Sequence, residues 1–261
     1  MAVTVGDVVV AMERKFPPET AEPWDRVGLT VGDPGAPCSR IGFAIDPCEA
    51  TISEAIGEKA DLLITHHPLY LRGTHTVVTT DAKGRWTTRM IKAGLAQFSA
   101  HTNADVAAST GALADLLGVR VNQPLDTDSG IGGVGTLEEP VTLAEFAARV
   151  SDVLPKVPAG ILVGGDMDRI ISTVAICSGS GDSLLNAANK AGADVYLTAD
   201  LRHHPATDHL WDGGCALVCA THWASEWPVL GAMERLLSEE LGGAVSTYIS
   251  TIPTDPWVAR L

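Results

Sequence analysis

The chain has 261 residues, 46% of them apolar and 19% charged, enough to bury a full core in one large or two ordinary domains without disulfide or metal staples. Lys and Arg number 18 against 32 Asp and Glu, and the formal charge of −14 argues against a nucleic-acid partner, since no basic cluster exceeds Arg14-Lys15. No apolar run has the length of a membrane span, and residues 1–7 lack the basic-then-apolar pattern of a signal peptide. The five cysteines include no CxxC and are read as reduced, mostly buried thiols of a cytoplasmic protein.

Taken in chain order, the predicted elements come twice. A helical pattern follows Val3-Thr4-Val5, runs to about Phe16 and stops at Pro17-Pro18; a second follows Val141-Thr142-Leu143, runs to about Leu154 and stops at Pro155. Thr4 and Thr142 are the expected N-caps. Two short strands follow each helix: 28–33 and 40–45 in the first copy, 161–166 and 169–174 in the second. Ala-rich helices follow at about 49–59 and 182–191. Each leads to Ala-Asp and an apolar strand, Ala60-Asp61-Leu62-Leu63-Ile64-Thr65 or Ala193-Asp194-Val195-Tyr196-Leu197-Thr198. His66-His67-Pro68 comes directly after the first strand, and His203-His204-Pro205 after the second with four residues between. A further strand in each copy ends in His101 or His222, and four residues on stands Asp105 or Glu226.

Strands alternating with helices predict an α/β fold, here two similar α/β domains from an internal duplication. The expected division is a first unit over 1–128, a second over 129–240, and a tail over 241–261 whose strand, 245–251, pairs with either unit. Gly130-Ile131-Gly132-Gly133-Val134-Gly135 fits G-x-G-x-x-G but does not open a helix after a strand, so it is read as a linker or turn. Ser178-Gly179-Ser180-Gly181 is read first as a tight turn, with an anion site at a helix start as the alternative. No Walker A motif or G-x-S-x-G elbow is present.

Six of the eight histidines fall at predicted strand ends, where open α/β sheets bind ligands. Adjacent side chains of a strand point to opposite faces. Where Pro68 ends the strand, His66 and His67 can turn into one cavity and serve one metal ion each. His101 with Asp105, and His222 with Glu226, are spaced i, i+4, which puts imidazole and carboxylate on one helix face. That donor pair suits borderline divalent metals. His203 and His204, displaced by the extra residues, have a less defined role.

Four stretches resemble the dinuclear-metal-centre hexamer family, NIF-three-like and often labelled GTP cyclohydrolase I type 2 homologues. They are Ala21-Glu22-Pro23-Trp24-Asp25-Arg26-Val27-Gly28-Leu29, Ile64-Thr65-His66-His67-Pro68-Leu69, Ser99-Ala100-His101-Thr102-Asn103-Ala104-Asp105 and His222-Trp223-Ala224-Ser225-Glu226. The resemblance implies a dimetal site in the cleft between the domains and a toroidal homo-hexamer, a trimer of dimers. It implies His66, His67, Asp105, His222 and Glu226 as ligands, with Glu226 bridging the ions. Thr221-His222-Trp223 departs from the usual Gly-His-Tyr, and Trp223 is expected to narrow the pocket.

The resulting expectation is a hydrolase using two divalent ions (Zn, Fe, Mn, Co or Ni). A metal-bridging hydroxide would act as nucleophile in purine ring opening or phosphoester hydrolysis, and His101, His203 and His204 would be the catalytic proton carriers. The substrate is a small molecule of unknown identity. The alternative is a non-enzymatic metal chaperone or metal-delivery protein. A scaffold with structural metals fits less well, because closed structural sites usually use cysteine.

Overall fold

The computed structural model describes residues 2–261. In chain order the elements are α1 (Val5–Lys15), β1 (Gly28–Val31), β2 (Arg40–Ala44), α2 (Glu49–Gly57), β3 (Leu62–Thr65), α3 (Ala82–Ala93), β4 (Ala96–Ser99), α4 (Thr102–Ala104), α5 (Thr110–Leu117), β5 (Val119–Gln123), β6 (Gly133–Thr142), α6 (Leu143–Val153), β7 (Leu162–Gly164), β8 (Ile170–Ser180), α7 (Leu185–Lys190), β9 (Val195–Ala199), α8 (His203–Trp211), β10 (Ala216–Ala220), α9 (His222–Glu226), α10 (Pro228–Leu241) and β11 (Ser246–Ile249). The chain is α/β and forms two compact units, each with its own mixed sheet.

The first unit runs to Ala107 and takes back Leu230–Thr254. Its sheet has the order β1-β4-β3-β2-β11, parallel except for β1 against β4. The final strand pairs with β2, which assigns it to this unit. The second unit comprises Ala108–Val229 with Asp255–Leu261, and its sheet has the order β5-β6-β8-β9-β10-β7. Here β8, β9 and β10 are parallel, and β7 is antiparallel to β10 as β1 is to β4.

The division lies near Ala107, not near residue 128 as the Gly-rich loop suggested. The reason is packing: Leu113, Ala114 and Leu117 of α5 belong to the core that also contains Phe146, Val150 and Val174. Nor is the G-x-G-x-x-G stretch a linker throughout, because Gly133 opens β6, which pairs with both β5 and β8. β5 and β6 have no counterpart strands in the first unit, and sequence reading missed them.

The repeated features have physical causes. Thr4 accepts from Asp7 N at the head of α1 and Thr142 from Glu145 N at the head of α6, each in a reciprocal capping box. The Ala-Asp step stitches strands. The Asp61 carboxylate accepts the backbone N–H groups of Ser39 and Arg40, and Asp194 accepts those of Ser172 and Thr173. On the other side, Ala96 N donates to Asp61 O and Ala216 N to Asp194 O, both at 2.9 Å.

These matched bonds set the true register between the copies. Arg40 corresponds to Thr173, not Arg169. His66 and His67 correspond to Ala199 and Asp200, not to His203 and His204. Ala96 corresponds to Ala216, so His101 matches Thr221 and Thr102 matches His222. The two His-x-x-x-acid pairs are therefore one residue out of step.

Parallel strands covered on both faces demand apolar residues on both. In the second unit Val174 and Ile176 face the core with Phe146, whereas Ala175 and Cys177 face that with Tyr196 and Leu185. In the first, Leu63 and Ala44 pack with Ile52, Leu69 and Met90. The five cysteines are thiols. Burial, aided by the charge of Asp61, pushes the Cys38 thiol up to about 12, so it stays protonated and inert.

Candidate metal centre

In the first unit, the strand ends of β3 and β4 bring three imidazoles together. His66 N donates to Ala44 O and His67 N to Ile45 O, so the backbone still follows β2 as β3 ends. The Thr65 hydroxyl then donates to His67 O at 2.6 Å and itself accepts from Gln97 Nε2 at 2.9 Å. This closed turn lets neighbouring side chains share a cavity that a regular strand would deny them. The rings of His66, His67 and His101 have centroids 5.1, 5.2 and 5.4 Å apart. One ring nitrogen from each lies within 4.8 Å of the others.

Each imidazole is held through Nδ1. His66 Nδ1 is 3.1 Å from Ala100 O, His67 Nδ1 is 2.7 Å from Asp46 Oδ1, and His101 Nδ1 is 2.9 Å from Asp25 Oδ1. A carbonyl or carboxylate at Nδ1 fixes the N–H there and turns Nε2 into the lone-pair donor. His66 Nε2 then faces Asp105 Oδ1 at 3.6 Å, acceptor to acceptor. That pairing suits a cation between them and is too long for a hydrogen bond. Asp105 begins a π-helical turn, Asp105–Ser109, that interrupts the run from α4 to α5.

Asp25 is buried. Burial alone would raise its carboxyl, but hydrogen bonds from His101 and from the Thr102 hydroxyl and N–H outweigh it and hold the group well below the usual carboxylate range. Trp24 covers the same ring edge-on, with centroids 6.0 Å apart.

In the second unit, Thr221 caps α9 and His222 is its first residue. His222 Nδ1 is 2.6 Å from Asp200 Oδ2, and Nε2 is 2.9 Å from Glu226 Oε1, one helical turn on. An imidazole between two carboxylates is satisfied by a second proton or by a metal ion at Nε2. Glu226 is only 4% exposed, which makes a nearby cation more valuable. Gly179 forms the wall: a Cβ there would lie 2.2 Å from Glu226 Oε1, and its φ of +67° also favours glycine. Gly179 N donates to Ser225 Oγ at 2.9 Å. The Ser178–Gly181 stretch is thus the end of β8 shaped around the His222–Glu226 pair, with Gly181 at the head of the 3-10 turn Asp182–Leu184 that leads into α7.

His203 and His204 lie exposed on the first turn of α8, their rings 5.1 Å apart, and belong to no three-donor cluster among the described residues. Trp223 is buried. The residues that sequence reading missed are Asp25, Asp46 and Asp200, each at the Nδ1 of a candidate ligand or proton carrier. Asp25 falls inside the first of the four stretches singled out above and Asp200 in none of them, and their roles depend on folding partners 76 and 22 residues away.

An α/β chain with two sheets and histidine–carboxylate donor sets at strand ends has the features of a metal-site protein of this fold. The profile of the Duf34/NIF3 (NGG1p interacting factor 3) family matches residues 3–256, and the chain belongs to that family. It is 44% identical to a Streptomyces coelicolor protein named GTP cyclohydrolase 1 type 2 homolog, covering 98% of this chain and 94% of that one. A Mycobacterium leprae protein of the same name is 30% identical, covering 98% of this chain and 96% of its own. The structure superposes on a Bacillus cereus protein related to NIF3 with a TM-score of 0.90, at 22% identity over 99% of each chain.

Proposed function

We propose that the chain is a divalent-metal-dependent hydrolase whose metal ligands are His66, His67 and Asp105 of the first unit and His222 and Glu226 of the second. The observation that carries the reading is the shared orientation of the imidazoles. His66, His67, His101 and His222 each have Nδ1 against a carbonyl or carboxylate, which presents Nε2. A structural histidine behaves differently: buried His209 places Nδ1 3.3 Å from Asn189 Nδ2 and Nε2 2.9 Å from Cys215 O.

Bound divalent ions supply Lewis acidity and a water nucleophile usable near neutral pH. His101, fixed by Asp25 beside His66 and His67, is the group suited to take up and return a proton at Nε2. His203 and His204, exposed on α8, are not needed for this role. The name carried by the relatives supports purine ring opening as the reaction, and hydrolysis of a phosphoester draws on the same chemistry. The resemblance supports a cytoplasmic homo-hexamer, which mass photometry tests.

The deciding experiment is turnover by metal-loaded protein over a panel of nucleotides and phosphoesters, beside His66→Ala. Hydrolysis lost in the variant supports the enzyme. Reversible metal transfer without any turnover would replace it with a metal-delivery protein.

A further inference from the structure

We propose that the loop between β3 and α3 forms a binding site for a phosphate group, separate from the metal donors, which anchors the phosphate end of a small-molecule substrate. The substrate role rests on the hydrolase reading; the binding site stands on its own residues.

The loop lines an open, solvent-facing cavity of about 560 Å³ whose wall includes Tyr70, Arg72, Thr74, Thr76, Asp81 and Lys83. That is the size of a small-ligand pocket. In a chain of charge −14, two cations on one cavity are unexpected, and neither Arg72 nor Lys83 joins an ion pair among the described residues. Lys83 Nζ lies 5.9 Å from the centroid of the Tyr70 ring, which holds its charge at the wall.

The one carboxylate on the wall, Asp81, offsets only one of the two positive charges. It is the N-cap of α3, yet its side chain makes no capping bond, so the first-turn N–H groups receive no acceptor from it. An anion with several acceptor oxygens meets both needs, as a guanidinium and an ammonium favour phosphate. A metal cation would meet two like charges.

The site is also preformed. Gly84 lets the loop close on α3, since a Cβ there would lie 2.2 Å from Val78 O. Arg85 Nη1 donates to Thr79 O at 3.1 Å, and Thr74 Oγ1 donates to Thr76 O at 2.8 Å. Tyr70 follows His67 by three residues, so their Cα atoms lie no more than about 11 Å apart. A phosphate held in this cavity therefore leaves the rest of a nucleotide-sized molecule within reach of His67.

The test is calorimetric titration of inorganic phosphate into the full-length, metal-loaded chain, into Arg72→Gln/Lys83→Gln, and into His66→Ala. Metal content is measured on all three. The expected result is saturable binding that weakens at least tenfold in the double variant while its metal content and melting temperature stay at wild-type values. His66→Ala should lose metal and keep binding that depends on Arg72 and Lys83. Wild-type affinity in the double variant, no saturable binding by the wild type, or binding lost only with the metal would each overturn the site. If all three proteins lack metal but Arg72- and Lys83-dependent binding persists, the phosphate site stands and the hydrolase reading fails.

Discussion

Asp46 and Asp200 illustrate how much of the proposed centre depends on carboxylates that hold a ligand's ring in place. Each carboxylate meets Nδ1 of a proposed ligand, at 2.7 Å from His67 and 2.6 Å from His222. Removing such a partner lets the ring rotate and lowers its basicity, so Asp46→Ala and Asp200→Ala should each weaken metal binding about 10- to 100-fold. Competition against a chelator of known affinity measures this, and unchanged affinity in both would remove their orienting role. Gly179 acts by its absence of side chain. Gly179→Ala would place a methyl group against Glu226 and His222 at a positive φ, and should lower both the melting temperature and the metal content. The ligand candidates were legible in the sequence because histidines and carboxylates at strand ends are few and chemically distinct. Asp25, Asp46 and Asp200 were not, because one aspartate among many declares its role only through the partner that folding brings to it.

At the scale of elements, Asp61 and Asp194 explain why Ala-Asp recurs before each central strand. Asp61 accepts from Ser39 N at 2.7 Å, Ser39 Oγ at 2.8 Å and Arg40 N at 3.1 Å, joining β2 to the start of β3. Asp61→Ala should cost about 1–2 kcal/mol in urea unfolding. Burial opposes the charge of Asp61, but the bonds from Ser39 and Arg40 prevail and lower its carboxyl below 3.8. A lowered native value means the unfolded state takes up the proton first. The contribution is therefore complete above pH 3.8 and is lost as the pH falls through the native value. Asp61→Ala should lack this part of the acid limb, and a stability profile parallel to wild type below pH 4 would contradict that.

Helices and strands of the repeat were legible from capping threonines, apolar runs and prolines. The exact match between copies was not, because β4 and β10 hand over to their helices at matching N-caps, His101 and Thr221, so the histidine is the cap in one copy and the first helical residue in the other. β5 escaped notice because four of its five residues are exposed and give no alternating pattern.

At the scale of the whole molecule, the apolar cores of both units are built without the donor residues, from clusters such as Phe146, Val174 and Leu197 or Ile52, Leu63 and Met90. Chelation should therefore leave the far-ultraviolet circular dichroism spectrum intact and lower the melting temperature only by the lost binding energy. Global unfolding on chelation would instead make the metals structural. No helix among the described residues is long and apolar enough to cross a membrane.

Metal content by plasma mass spectrometry tests the central claim most directly, on tag-free protein purified without chelator and beside a His66→Ala/Glu226→Ala variant. The account predicts about two divalent ions per chain in the wild type, as a two-metal hydrolytic site requires, and few in the variant. Wild-type protein that holds no metal even after reloading with Zn, Mn and Fe would contradict the ligand assignment and leave the hydrolase without its nucleophile.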